Sequence, residues 1–584
     1  MVRFPFSDAF RARTRNQVSR GRAHGCSLLT GRRTRKHIRS KWLPRRRAET
    51  PRRKGRRVCA LLVCGLLEGT GLFLLSSASS VVTAASQQSD RADARDALQK
   101  AALLVQQGRL EEADRQAQLA LTDPETQAVA CSVLGTIRFQ QKRFDESASL
   151  LQKAIRMEPA LVGAHLTLAQ VYTLQGKSEL ASGLLERVLI LDPPNAAARL
   201  ALARFETEKG NYRQSLELAQ PVLHAFKQSP EGLLVLVTDF LKTGRRAEAA
   251  ALARDWTHLA DVPQDWSIKF ALLLAKDAAV NEAIDVLEHA RHVGPPSYEL
   301  AFNLAGAYLL NSDAMRALES YDLALTLKPD SVGALRQAAA IAERQGELER
   351  ALSYWIRARK IEPDDPEILL GFGRVCLKMD LLEDAEPALT TAASRRPDDP
   401  AYQYTLAAAK VGKRQFEAAQ DLLEGLVRKQ PDDPQLQYAL GSVFYIQGRL
   451  ADAAEHLRVS VRLQPEQLAS RYYLALVERD QGHDAEAIAA LEDLVQRYPR
   501  HAASCEALGG MLMNAQRYTE AEVSLRKAVL LNPKSVKANY QLGLLLARVG
   551  RKEEADKQLE LAKSLRQEDE ATSRLQLRLL DPDR

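Results

Sequence analysis

The sequence predicts an all-α solenoid of about fourteen helix-turn-helix units, and three periodic observations predict it. Ala or Ser stands at steps of 34 residues from Ala113 through Ser147, Ala181 and Ser215 to Ala555, fourteen rungs with nothing larger. Twelve residues before each rung lies Gly or Ala in thirteen of the fourteen cases, as at Gly135, Ala203, Gly441 and Gly543, with Val237 the exception. Twelve residues after it Pro appears ten times, from Pro159 to Pro533. A fixed period of this length marks one supersecondary unit stacked on itself. Such a stack exposes a long repeated surface, which favours holding other chains over chemistry on a small molecule.

Each part of the unit has a physical reason. The two small positions, twelve residues apart, let a pair of antiparallel helices approach closely. Five residues before the rung Gly appears eight times, as Gly108, Gly176, Gly346 and Gly448, where the first helix needs a residue tolerant of positive φ to stop. An acid directly precedes the rung in nine units, Glu112, Asp384 and Glu554 among them, which suits the positive end of the second helix. Large apolar residues usually sit thirteen before and four after it, as Leu440 and Leu457 do around Ala453, and the Pro ends the second helix.

This pattern resembles the tetratricopeptide repeat (TPR) family: Leu-Gly, a bulky residue, Ala, an apolar residue four later, then Pro, on the same period. In one register the likeness runs from Ala94 to Asp569. It departs from the family early in the first helix, where Cys131, His165, Arg471 or Asn539 stands in place of a bulky Trp. The resemblance implies a right-handed superhelix whose concave face, lined by the first helices, grips peptides or partner proteins.

Charge divides the chain. Residues 1–57 carry 20 Lys or Arg against Asp8 and Glu49, so the remainder is mildly acidic although the whole chain is +8. This basic extension reads as disordered and topogenic; nucleic acid is not expected as its partner, because no folded reading element accompanies it. Residues 58–85 follow as the hydrophobic segment, apolar over Val58–Leu67 and Leu72–Leu75 and interrupted by Glu68-Gly69-Thr70-Gly71. It reads as a signal anchor contacting the membrane through residues 58–80, or as a signal peptide cleaved near Val82-Thr83-Ala84. Positive charge before such a segment stays cytoplasmic, so both readings place the repeats outside the cytoplasm, periplasmic in a bacterium, tethered in the first and secreted in the second.

Residues 226–270 break the pattern. Prolines fall at Pro230 and Pro263 instead of 227 and 261, and Trp256 replaces a small residue. The alternatives are a drifted unit that accommodates a large ring, or a hinge. Cys131, Cys376 and Cys505 lie too far apart in a stack to pair, which leaves apolar burial.

On the groove implied by the resemblance, Tyr404, Tyr438, Tyr472 and Tyr540 recur in one slot of the first helix, with Tyr445 on the same side. Arg336, Arg344, Arg374, Lys378 and Arg479 project there too, so the expected partner is a segment with acidic and apolar residues. The family's carboxylate clamp of Lys, Asn and Arg is not matched, since Asn303 stands alone. No catalytic residue, cofactor or metal is expected. Gly176-Lys177-Ser178 lacks the upstream Gly of a phosphate loop, and His289 with His292 supplies too few ligands for zinc. Residues 570–584, with Leu575, Leu577, Leu579 and Leu580, read as a helix capping the last apolar face and leave no appended catalytic domain expected.

These readings together predict a non-enzymatic scaffold, tethered to the membrane, that recruits partners in an envelope, secretion or surface-polymer assembly. The alternative is an accessory subunit that activates a separate glycan- or peptide-processing enzyme.

Overall fold

All fourteen turn positions adopt positive φ, and only eight of them are glycine. Lys142, Ala278, Ser312, Asp380, Arg414 and Gln516 fill the other six at φ between 59° and 70°. A residue with a Cβ costs about 1–2 kcal/mol in this conformation, so the stacked helices on either side hold these six turns in place.

The computed structural model describes residues 77–569 and Leu579, and the described residues form fourteen helical hairpins. They fall into two units that divide between Pro295 and Pro296. Each unit is an all-α solenoid in which every helix packs on its hairpin partner and on the neighbouring hairpin. The first runs from Ser77–Gln106 with Leu110–Leu119 to Gln264–Lys276 with Val280–Val293. The second begins at Tyr298–Leu310 and ends with Val536–Arg548 and Lys552–Asp569. Among the described residues no helix is long and apolar enough to cross a membrane. The basic extension and the apolar stretch 58–76 lie outside the described residues.

The rungs are buried, with Ala113, Ala249, Ala453 and Ala521 all at 0% exposure. Where the small position of the first helix is glycine it faces a leucine of the second. A Cβ on Gly441 would lie 2.8 Å from Cγ of Leu457 and 3.2 Å from the Ala453 carbonyl oxygen. Close approach thus requires glycine there, and Leu457 fills the space it leaves. The acid before the rung makes a second recurring contact. Arg449 donates to Asp452 at 2.7 Å, as Arg109 does to Glu112. These pairs are exposed and each contributes little.

Residues 226–270 lie wholly inside the first unit. The helix Tyr212–Ala219 gives way to a 3₁₀ turn, Gln220–Val222, because Pro221 cannot supply the next helical N–H. Pro230 then opens the next helix behind Ser229, whose hydroxyl accepts from the Gly232 amide at 3.0 Å. The Trp256 ring is buried and stacks on Phe270 with centroids 4.2 Å apart, and its Nε1 donates to Ser267 at 3.2 Å.

In the same unit Asp239 is completely buried. It occupies a position that holds Ile137, Val171, Phe205, Ile341 and Val443 in other hairpins. Burial pushes its carboxyl up to about 6, while the hydroxyls of Ser215 and Thr207 pull the other way. Thr207 donates to it at 2.8 Å. The folded form therefore holds the proton more tightly than the unfolded chain does. Stability from this group is greatest below about pH 4, falls as pH rises to about 6, and is flat above that. Asp239→Asn should remove that slope and leave the first unit more stable at pH 7, as read by denaturant melts across the pH range.

Candidate partner-binding face of the second unit

Three successive first helices carry the candidate site: Pro400–Gly412, Pro434–Ile446 and Leu468–Asp480. Two open with Pro at the first helical position, where its missing N–H costs nothing. Asp399 caps the first by accepting from the Ala401 amide at 3.0 Å, and Asp433 caps the second by accepting from Leu436 at the same distance. These caps fix the phase of both helices, and with it the direction in which Tyr404 and Gln435 point.

The tyrosines expected on one face separate in the structure. Tyr438 is 1% exposed and belongs to the apolar core, so it cannot touch a partner. Its slot lies three residues before the small position, and the ring turns toward the next hairpin, 6.0 Å from that of Tyr473. Tyr540 is 51% exposed. Tyr445 and Tyr472 are half-buried and flank Tyr473, at 5.8 Å and 5.6 Å between centroids, both edge-on. Tyr472 also meets the His501 ring edge at 5.3 Å. The Tyr445 hydroxyl donates to Asp480 at 3.0 Å; burial pushes it up to about 12, and the Asp480 carboxylate adds to the effect. Tyr473 went unread in the sequence because the slot repeat marks Tyr472 and says nothing of its neighbour.

Arg336, Arg374, Lys378 and Arg479 already hold acids of this chain. Both oxygens of Glu343 accept from Arg374 at 2.7 Å, and Lys378 approaches to 3.2 Å. Burial alone would raise the Glu343 carboxyl, but these two cations hold it below its ordinary value. Arg336 pairs with Glu367, Arg479 with Asp480 at 2.7 Å, and the Arg344 guanidinium donates to the Ala340 carbonyl at 3.3 Å. The expected attraction for acidic partner residues is largely answered from within. The signal was available, since Glu343 stands where Leu309, Leu377 and Val411 stand in adjoining hairpins.

Tyr404 points elsewhere. Its hydroxyl donates to the backbone carbonyl of Leu579 at 2.5 Å, and Gln435 Nε2 donates to the same oxygen at 3.0 Å. The Leu579 side chain is 2% exposed within the cluster that contains Tyr438, Leu440 and Val443. That cluster includes no residue of the final hairpin, so Leu579 does not serve the capping role expected of 570–584. The rest of that segment lies outside the described residues.

Two models of one family match the sequence over these helices. Both carry the description tetratricopeptide repeat, and they cover residues 138–205 and 342–409, and 404–467, 472–529 and 512–567. The chain is a tetratricopeptide repeat protein. No curated protein sequence matches it. Among solved structures, this TPR chain is similar to yeast Tom70, at 15% identity over 82% of this chain and 97% of that one, with a TM-score of 0.32. The APC/C hetero-tetramer Cut9–Hcn1 gives 14%, 76%, 95% and 0.36 in the same terms. A tetratricopeptide repeat protein from Parabacteroides merdae gives 16%, 46%, 98% and 0.37.

Proposed function

We propose that this TPR protein is a scaffold that captures a segment of a partner protein on the first-helix face of hairpins 400–514. The observation that carries the reading is the half-buried ring cluster of Tyr445, Tyr472 and Tyr473. Rigid rings presented from successive helices offer contact area at low entropic cost. Because the neighbouring cations are internally paired, the partner segment is apolar and aromatic in its main contacts, with acidic residues secondary.

The proposal extends to location through the sequence alone. Dense positive charge ahead of the apolar stretch 58–75 supports an exported, membrane-tethered body that gathers partners for an envelope, secretion or surface-polymer assembly.

Crosslinking followed by identification of the captured proteins tests the reading. Tyr445→Ala with Tyr472→Ala should lower capture at least tenfold with helicity retained, measured below a melting transition that falls because both rings pack on the core. Undiminished capture removes this face from consideration. Recovery of several structural proteins supports the scaffold, whereas one stoichiometric enzyme would favour the accessory-subunit role.

A further inference from the structure

Gln435 is oriented by a chain of hydrogen bonds that ends in the core. Ser470 is fully buried and donates to the side-chain carbonyl of Gln467 at 2.5 Å, while the equally buried Ser460 gives its one proton to the Pro434 carbonyl at 2.7 Å. That fixes which end of the Gln467 amide is which, and its Nε2 donates to Oε1 of Gln435 at 3.1 Å. Gln435 therefore presents its own Nε2 outward, where it donates both to the Tyr404 hydroxyl at 2.7 Å and to the Leu579 carbonyl at 3.0 Å. Tyr404, receiving that bond, turns its proton to the same carbonyl. Three adjacent hairpins thus combine to hold one backbone oxygen with two aligned donors. Corresponding positions of neighbouring hairpins carry Ala401, Ala469, Ala503 and Lys537 in place of Gln435, so the arrangement occurs once along this stretch.

Such a donor pair reads backbone, and the apolar cluster beside it reads the side chain. Burial of a leucine together with a doubly bonded carbonyl is how an extended peptide is recognised by a preformed face. We infer that Tyr404 and Gln435 form a leucine-peptide docking subsite, and that in the resting chain this subsite is filled in cis by Leu579 of the C-terminal segment. The inference rests on the scaffold reading and deepens it: a partner that docks here must bring a leucine with a free carbonyl and displace the chain's own. A tethered occupant competes at an effective concentration on the order of millimolar, so a partner segment with micromolar intrinsic affinity appears many-fold weaker until the tail leaves.

The experiment uses the full chain and a fluorescein-labelled synthetic peptide of residues 573–584, followed by polarisation. Wild type should bind the peptide at least tenfold more weakly than the Leu579→Asp chain. Adding Tyr404→Phe and Gln435→Met to Leu579→Asp should abolish that gain. Equal affinity of wild type and Leu579→Asp, or no binding to Leu579→Asp, overturns the inference. As a peptide-independent reading, hydroxyl-radical labelling of the buried Leu579 side chain should rise at least tenfold in Tyr404→Phe/Gln435→Met, and unchanged labelling overturns it as well. A dimer that forms in wild type and is lost in Leu579→Asp would assign the seat to a second copy and overturn the cis assignment. These results are independent of the Tyr445 and Tyr472 capture experiment, which can succeed while this one fails.

Discussion

Trp256→Ala is expected to destabilise the first unit by about 3–5 kcal/mol, the range for removing a buried Trp side chain. Repeat logic alone argues the opposite, because Ala154, Ala290, Ala324 and Ala358 occupy the equivalent place in other hairpins. Around Trp256, however, the neighbours have adapted. Phe270 lies parallel to the ring within 21°, and Ser267 accepts its N–H. Alanine would leave a cavity and strip both partners of their contact. Each hairpin of such an array touches only its neighbours, so the loss should concentrate nearby. Amide exchange should quicken in Arg246–Thr257 and Gln264–Lys276 and leave Gln127–Gln140 near wild type. A uniform small change, or none, would show that the site closes up.

The second large effect is expected from Glu343→Ala, at about 3 kcal/mol. The carboxylate is 5% exposed, whereas Arg374 and Lys378 keep partial access to water at 36% and 25%. Removing the acid strips Arg374 of the carboxylate that both its donors engage and takes one acid from Lys378, and their partial exposure keeps the cost at the low end for a broken buried pair. Glu343→Leu should be similarly damaging despite restoring the apolar residue found nearby, and adding Arg374→Ala and Lys378→Leu should recover most of the loss. The folded carboxyl is held below its ordinary value, so its contribution is complete at neutral pH. It fades as pH falls below the ordinary glutamate range and through the depressed folded value. Urea midpoints of wild type and the three variants at pH 7 and pH 4 check both statements, and an unchanged Glu343→Ala midpoint at pH 7 would refute them.

What could be read from the sequence follows the distance over which contacts act. The hairpin is local: the small position, the turn and the rung lie within thirteen residues, and the structure carries the left-handed turn to Lys142 and Gln516 as well, which a reading keyed on glycine did not mark. Contacts between hairpins were harder. Arg374 meets Glu343 across 31 residues, one helical turn out of step with the period, so comparing identical slots does not reveal the pair. Tyr438 illustrates the same limit, since its slot is shared with the exposed Tyr540 and burial is decided by Tyr473 on the next hairpin. Leu579 lies 175 residues from Tyr404, beyond anything a periodic reading can supply.

Where the small first-helix position is glycine it meets a leucine of its own hairpin, as Gly135 does Leu151 and Gly509 does Leu525, so these hairpins share one internal packing on one period. Excising or duplicating one whole period in such a region would rejoin like with like. The chain can thus change length by recombination without designing a new interior. The stretch around Pro221 and Trp256 lacks that freedom, because its joints fit only each other.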